Sequence, residues 1–410
     1  MAPPKLTRTG TGFLLVYPDD PIFISVERIK ESSDALRAEV IIRTTAPGVP
    51  PHLYHEHLNL LSGRSKDMLA KALEAQYGLL ALWPTVLEQM RMMVLAEFRR
   101  GEPEKAVVDI TASETIRYRV RPLIVEKQAN LFWGERGTGK GFVACWLACM
   151  VALPFTKGPF EVEPGAVLYL DYESDEEDLK QRMDMVAKGL DYPTPHNIFY
   201  RRCWRGLQDD ADEIHNIITR RNIEFVVIDS AGLACGGYPQ KDDFVLPFFG
   251  ALRRMNVTSL IIGHTQKNAE HKSAYGSSYW ENMPRMVYEV RSTQLAGDAT
   301  LNIGLYHKKV NRGMIQSPHG LKLTFGDEQS LAVRAIDLMD VTDLRKGVSL
   351  KNQLVSVLKR GALSVEQICS DLGLEESDVA TVRARLNQYK DVFVSVTFPG
   401  QKDHLWALKV

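Results

Sequence analysis

Lys140 closes a glycine-rich bend, Gly134-Glu135-Arg136-Gly137-Thr138-Gly139-Lys140-Gly141. Glycines at this spacing let successive backbone amides turn inward around an anion. The apolar LFW before the bend predicts a strand, and FVACWLACMVA after it predicts a helix. That helix would point its N-terminal donors and the positive end of its dipole at the same anion. Gly134, Glu135, Arg136, Gly137, Thr138, Gly139, Lys140, Gly141 and Phe142 are therefore expected to cradle the phosphates of ATP, with Lys140 as a point charge for the terminal ones. A glycine-rich strand-to-helix turn with no ligand is the plainer reading, and the strand before with the helix after weighs against it. Gly141 stands where such loops usually carry a Ser or Thr hydroxyl for Mg2+. Glycine offers no side-chain oxygen, so the metal would be held through water or by another group.

Carboxylates follow at strand ends. In IEFVVIDS four apolar residues run into Asp229, which would face the crevice of Lys140 and hold Mg2+, directly or through water. In VLYLDYESDEED, Asp171 and Glu173 end another strand, where a carboxylate can orient and polarise an attacking water. Glu173 is the expected base and Asp171 the alternative; Asp171 is also a candidate metal ligand. Asp175 to Asp178 read as acids complementing a helix dipole. SLIIGHTQKN supplies a strand ending in His264, Thr265 and Gln266, placed to sense a terminal phosphate, although a single histidine is more often structural. Lys267 and Lys272 follow in a polar loop and could meet nucleic acid phosphates. Lys308, Lys309 and Arg312 gather near a turn after LNIGLYHKKVNRG begins, from which a cation could reach a neighbouring subunit.

The elements that must position these groups lie in the middle of the 410-residue chain. From 109 to 343, short continuous apolar runs (131–133, 167–170, 198–200, 225–228 and 260–263) alternate with helical segments. This is the pattern of an α/β fold with a mainly parallel sheet buried on both faces. Residues 1–108 read as an α+β region without evident chemistry: apolar runs at 13–16, 22–26 and 40–42, then helical periodicity from Ser65 to Arg99 interrupted at Pro84. Residues 347–410 read as three short helices, the second opened by a Ser364/Gln367 capping box, then a hairpin. That order looks like a winged helix-turn-helix, with Thr381, Arg383, Arg385 and Gln388 on its third helix and Lys402 on its wing. Within 345–410, ten Lys or Arg stand against seven Asp or Glu, a mild preference for anions.

The chain as a whole is nearly neutral, with 50 basic and 51 acidic residues, so any polyanion must be met by a local patch. The five cysteines form no CxxC pair; Cys145 and Cys149, four apart on a helix, are expected as buried thiols in a reducing compartment. With no signal-like leader and no bilayer-length apolar stretch, a cytoplasmic protein without membrane association is expected.

The order of these motifs, Gly134 to Gly141, LYLDYES, VVIDS, IIGHTQKN, YGSSYWENMPRMVYEV and HKKVNRG, resembles the RepA-like AAA family ATPases of the RecA/DnaB-like hexameric helicase group. The resemblance covers about residues 110–340 and implies a RecA-like core in a ring or filament, such as a hexamer, with ATP at subunit interfaces. It implies Lys140 on the phosphates, Glu173 as base, Asp229 on magnesium, His264 or Gln266 as sensor, and a trans-acting cation among Lys308, Lys309 and Arg312. The chain departs from the family pattern at Gly141. Two functions are expected on these grounds: an ATP-dependent motor or loader acting on DNA, or a nucleotide-binding scaffold whose assembly is switched by ATP with little turnover.

Overall fold

The computed structural model describes the chain apart from residues 1–2, 10–11, 102–103, 112–114, 155–157, 266–273, 275, 312, 328, 398–403 and 410. It divides into two compact units, Met1–Thr115 with Asp209–Asn222, and Ile116–Gln208 with Ile223–Val410.

The first unit is built on an antiparallel meander of Lys5–Arg8, Gly12–Val16, Ile22–Glu31, Leu36–Thr44 and His52–Asn59, paired in sequence order. Strand alternation turns Ile22, Ile24 and Val26, with Val40 and Ile42, to one face. That face and the helices Gly63–Tyr77 and Trp83–Arg100 share one core, with Leu69, Leu73, Trp83, Leu87, Met90 and Val94. Pro84 does not interrupt a long helix. It sits in the first turn of the second one, where its missing N–H would have no partner anyway.

The second unit holds a nine-stranded sheet. In chain order its strands are β1 (Ala129–Gly134), β2 (Ala166–Asp171), β3 (Ile198–Arg202), β4 (Ile223–Asp229), β5 (Thr258–His264), β6 (Met286–Thr293), β7 (Thr300–Val310), β8 (His319–Gly326) and β9 (Ser330–Ile336). Across the sheet they lie β3-β2-β4-β5-β1-β6-β7-β8-β9. Neighbours from β3 to β6 are parallel, and β7, β8 and β9 extend the sheet antiparallel. Each of the five apolar runs read from sequence lies inside one of β1 to β5. Helix α1 (Lys140–Ala152) is apolar all round and almost wholly buried, as a helix inside a large core must be. Helix α2 (Glu176–Gly189) connects β2 to β3, and α3 (Asp242–Met255) lies between β4 and β5. Asp175 caps α2 by accepting from the Asp178 amide at 2.9 Å, and the following acids fill its first turn. All five cysteines are buried free thiols.

The last residues of this unit form α4 (Leu350–Leu358), α5 (Val365–Leu372) and α6 (Val379–Gln388), then an antiparallel pair, Phe393–Val396 with Leu405–Leu408. Both halves of the Ser364/Gln367 capping box are present. Leu354, Ile368, Val382, Leu386, Phe393 and Trp406 share a small core of their own. Among the described residues no helix is long and apolar enough to cross a membrane.

Candidate functional site

The glycine bend runs from the end of β1 into α1. Gly134 is required by its neighbour strand, since a β-carbon there would meet the Val290 carbonyl oxygen at 2.2 Å. Gly137 and Gly139 adopt φ of +77° and +80°, the left-handed region that only glycine enters freely. The bend therefore curls back over the first turn of α1, and Lys140 is drawn into it. Its ammonium donates to the carbonyl oxygens of Gly134 (2.9 Å) and Glu135 (2.6 Å) and to the Thr138 hydroxyl (3.1 Å). Thr138 in turn donates to the Glu135 carbonyl at 2.9 Å.

Lys140 is only 4% exposed. Burial pushes its pKa down to about 8, against the pull of Asp229, Glu173 and Glu135. The lysine is thus poorly solvated, without a direct carboxylate partner among its hydrogen bonds, and ringed by carbonyls that a polyanion would replace.

The carboxylates converge because parallel strands end together: Asp171 and Asp229 are register partners across β2 and β4, and His264 is paired with Gly134 across β5 and β1. Asp229 Oδ2 accepts from the Tyr169 hydroxyl at 2.7 Å. Burial raises its pKa, with the Tyr169 bond opposing. Asp171 is 2% exposed. Its Oδ1 accepts the amides of Glu173 (3.0 Å) and Ser174 (2.9 Å), and its Oδ2 lies 3.5 Å from the Tyr200 hydroxyl. It builds the turn that presents Glu173. Glu173 Oε1 lies 3.4 Å from His264 Nε2 and accepts from the Ser230 hydroxyl. The His264 contact, seconded by Ser230 and by the charges of His264 and Arg136, outweighs burial and pulls this carboxyl down to about 2.

Two cations expected to reach a neighbouring subunit are engaged within their own chain. Lys308 pairs with buried Glu289 at 2.8 Å, which also binds Arg291. Lys309 donates to the carbonyl oxygens of Glu281, Asn282 and Pro284. Gln266, Lys267, Lys272, Arg312 and Lys402 lie outside the described residues.

Three participants were not assigned from sequence. Ser230, at the N-cap position of the short helix after Asp229, makes no side-chain cap and binds Glu173 instead. Tyr169, two residues before Asp171 and so on the same face of β2, reaches Asp229. Arg182, four residues after its partner Asp178 on α2, comes close to Gly141. Only Gly141 itself hinted at it, because the room left by a missing side chain must be filled by something.

For magnesium, the donors present are few. Gly141 gives none, Asp171 is committed to its turn, and Asp229 remains, which suffices for an ion that takes one or two carboxylates and leaves its other positions to phosphate and water. Among the described residues no group of three or more His, Cys, Asp or Glu is placed to hold a metal.

Residues 101–270 match the family model described as an AAA domain. That segment contains Gly134 to Gly141, Asp171, Glu173, Asp229 and His264. Over that segment the chain is similar to an AAA domain, a match that includes the glycine bend and the carboxylates at the neighbouring strand ends. It is also similar, at 15% identity and a TM-score of 0.40, to a KaiC-like protein from the hyperthermophilic archaeon Pyrococcus horikoshii, over 54% of this chain and 100% of that one. A search of curated proteins finds no match.

Proposed function

We propose that this protein binds ATP in the Gly134–Phe142 cradle and hydrolyses it to drive work on DNA, as the resemblance to hexameric helicases and their loaders implies. The observation that carries the reading is Lys140, an ammonium held dry inside the glycine bend with Asp229 and Glu173 at the neighbouring strand ends. In this reading the amides of the bend and Lys140 grip the phosphates. Glu173 takes the proton of the attacking water once it parts from Ser230 and His264, and His264 senses the change at the terminal phosphate. Magnesium, when bound, neutralises charge developing on the transferred group, and Asp229 would hold it. We assign Asp171 to positioning the Glu173 turn. Arg312 stays the candidate to act on a neighbouring subunit, because Lys308 and Lys309 are occupied in cis.

The C-terminal helices and hairpin, read as a winged helix, are the second DNA contact. Thr381, Arg383 and Gln388 are exposed on α6, and Arg385 is half-buried. Replacing Arg383 and Arg385 with alanine is expected to weaken duplex binding evenly across sequences and to reduce the salt slope by roughly one per phosphate contact removed. Fluorescence anisotropy at several salt concentrations measures both. A slope that stays the same would remove DNA from this face.

One observation favours a second reading. Glu173 is held by Ser230 and His264, and Gly141 gives magnesium no hydroxyl, an arrangement suited to a nucleotide-switched assembly with slow turnover. A steady-state ATPase assay with and without single-stranded DNA separates the two. The motor requires turnover that DNA accelerates. Nucleotide-dependent assembly at a rate indifferent to DNA would replace it with the switch.

A further inference from the structure

Gly141 has no β-carbon, and the space where one would stand is bounded by a cation. An ideal Cβ on Gly141 would lie 3.1 Å from Arg182 Nη1 and 3.6 Å from Asp229 Oδ2. The guanidinium therefore borders the place where a hydroxyl side chain at 141 would reach toward Asp229.

Arg182 is held there from two sides. Its Nη2 bonds Asp178 Oδ2, one turn back on α2, at 2.5 Å, and that oxygen also accepts from the Ser174 hydroxyl. Its guanidinium carbon lies 5.7 Å from the centre of the Phe142 ring on α1, within the range of a cation–π contact. Its side chain keeps 31% of its exposure.

An i,i+4 ion pair on a helix surface would account for Asp178 and Arg182 but not for where the charge sits. Arg182 faces Gly141 in the first turn of α1, the positive end of that helix, and Gly141 directly follows Lys140 in the chain. Asp178 already pairs with Arg182 and Asp229 borders the same space, yet a cation stays disfavoured at a helix N-terminus, where an anionic ligand would offset it. A guanidinium is also suited to it, since its fixed N–H fork matches phosphate oxygens and it is more weakly hydrated than an ammonium.

We propose that Arg182 binds the phosphate end of the nucleotide itself, in the room Gly141 leaves, so that nucleotide affinity in this protein depends only weakly on magnesium. The inference rests on the cradle reading above. Gly141 and Arg182 are a matched pair: a side chain at 141 would press on the guanidinium, and loss of the guanidinium would leave the phosphates with Lys140 and the backbone alone.

The test is calorimetric titration of the full chain with ADP and with ATP, each in excess magnesium and in EDTA. The native protein is expected to lose less than about tenfold in affinity on chelation, because Arg182 still meets the phosphate charge once the ion is gone. Arg182→Ala should lose roughly 10- to 100-fold in EDTA and clearly less in magnesium. Arg182→Lys, which keeps the charge and loses the fork, should recover part of the EDTA loss. Gly141→Ser, by crowding the guanidinium and supplying a hydroxyl, should make binding magnesium-dependent. Thermal melting of each variant checks that it is folded, and the lysine variant keeps the test valid should the alanine variant not be. The proposal is overturned if Arg182→Ala weakens binding equally with and without magnesium, or if the native protein loses about tenfold or more on chelation. A native protein that binds neither nucleotide in either buffer fails differently: it removes the cradle reading, on which this one stands.

Discussion

Lys140→Ala is expected to abolish measurable nucleotide binding and turnover while leaving the fold intact. One buried donor aimed at developing charge is commonly worth about 10²- to 10³-fold in rate, and here the same group also pairs with the phosphates in the ground state. The fold should tolerate the change because the lysine is held at a cost. A pKa lowered from 10.5 to about 8 means that the folded chain disfavours the charged form relative to the unfolded one, by roughly 3 kcal/mol at neutral pH. Between pH 8 and 10.5 the unfolded state binds the extra proton, so this group makes stability rise with pH across that window. The alanine variant without ligand should therefore melt no lower than the native protein at pH 7 and should lose the upward shift that nucleotide gives. Phosphates favour the protonated lysine, so native affinity should fall above pH about 8, by up to about tenfold per unit. Calorimetry on both proteins between pH 7 and 9.5 checks both points. Retained affinity in the alanine variant would remove Lys140, and with it the cradle, from the site.

The parallel half of the sheet was legible in sequence because strands buried on both faces have little choice but continuous apolar runs, such as 167–170 and 225–228. The glycine bend was legible because left-handed backbone leaves few alternatives to Gly137 and Gly139. What escaped had weaker or non-local signals. The strand His52–Asn59 buries Leu53 and Leu58 among polar neighbours and shows little alternation. Asp171 and Glu173 share one motif, and only the folded turn tells them apart: Asp171 is spent on two amides while Glu173 faces Ser230 and His264. Arg182 lies 41 positions beyond Gly141 in the sequence, and nothing in its own surroundings marks it as more than the partner of Asp178. Pairings of this kind belong to the register of β2, β4 and β5 and to the packing of α2 on α1, which local pattern does not encode.

Glu173→Gln separates binding from chemistry. Glutamine keeps the volume and still offers an oxygen to the Ser230 hydroxyl, but it takes no proton. Nucleotide affinity should stay within a few-fold of native, since the carboxylate contributes no charge the phosphates want, while hydrolysis should fall by about 10²- to 10⁴-fold, the usual worth of a positioned general base. The depressed pKa sharpens the expectation. A carboxyl at about 2, held down first by the His264 contact and then by Ser230, is ionised at every working pH but a weak base while those contacts last. Turnover in the native protein then requires Glu173 to leave them. His264→Ala removes the largest cause and should return the carboxyl toward its ordinary value of 4.5, so an acid limb in the rate profile of that variant would move upward. Stability carries the opposite signature. The depressed pKa contributes stability that is complete above pH 4.5 and is lost as pH falls toward 2, and the glutamine variant lacks this dependence. Single-turnover hydrolysis beside nucleotide titration decides the role: a Glu173→Gln protein that hydrolyses at the native rate would pass the base to another group, and one that no longer binds nucleotide would make Glu173 part of the cradle.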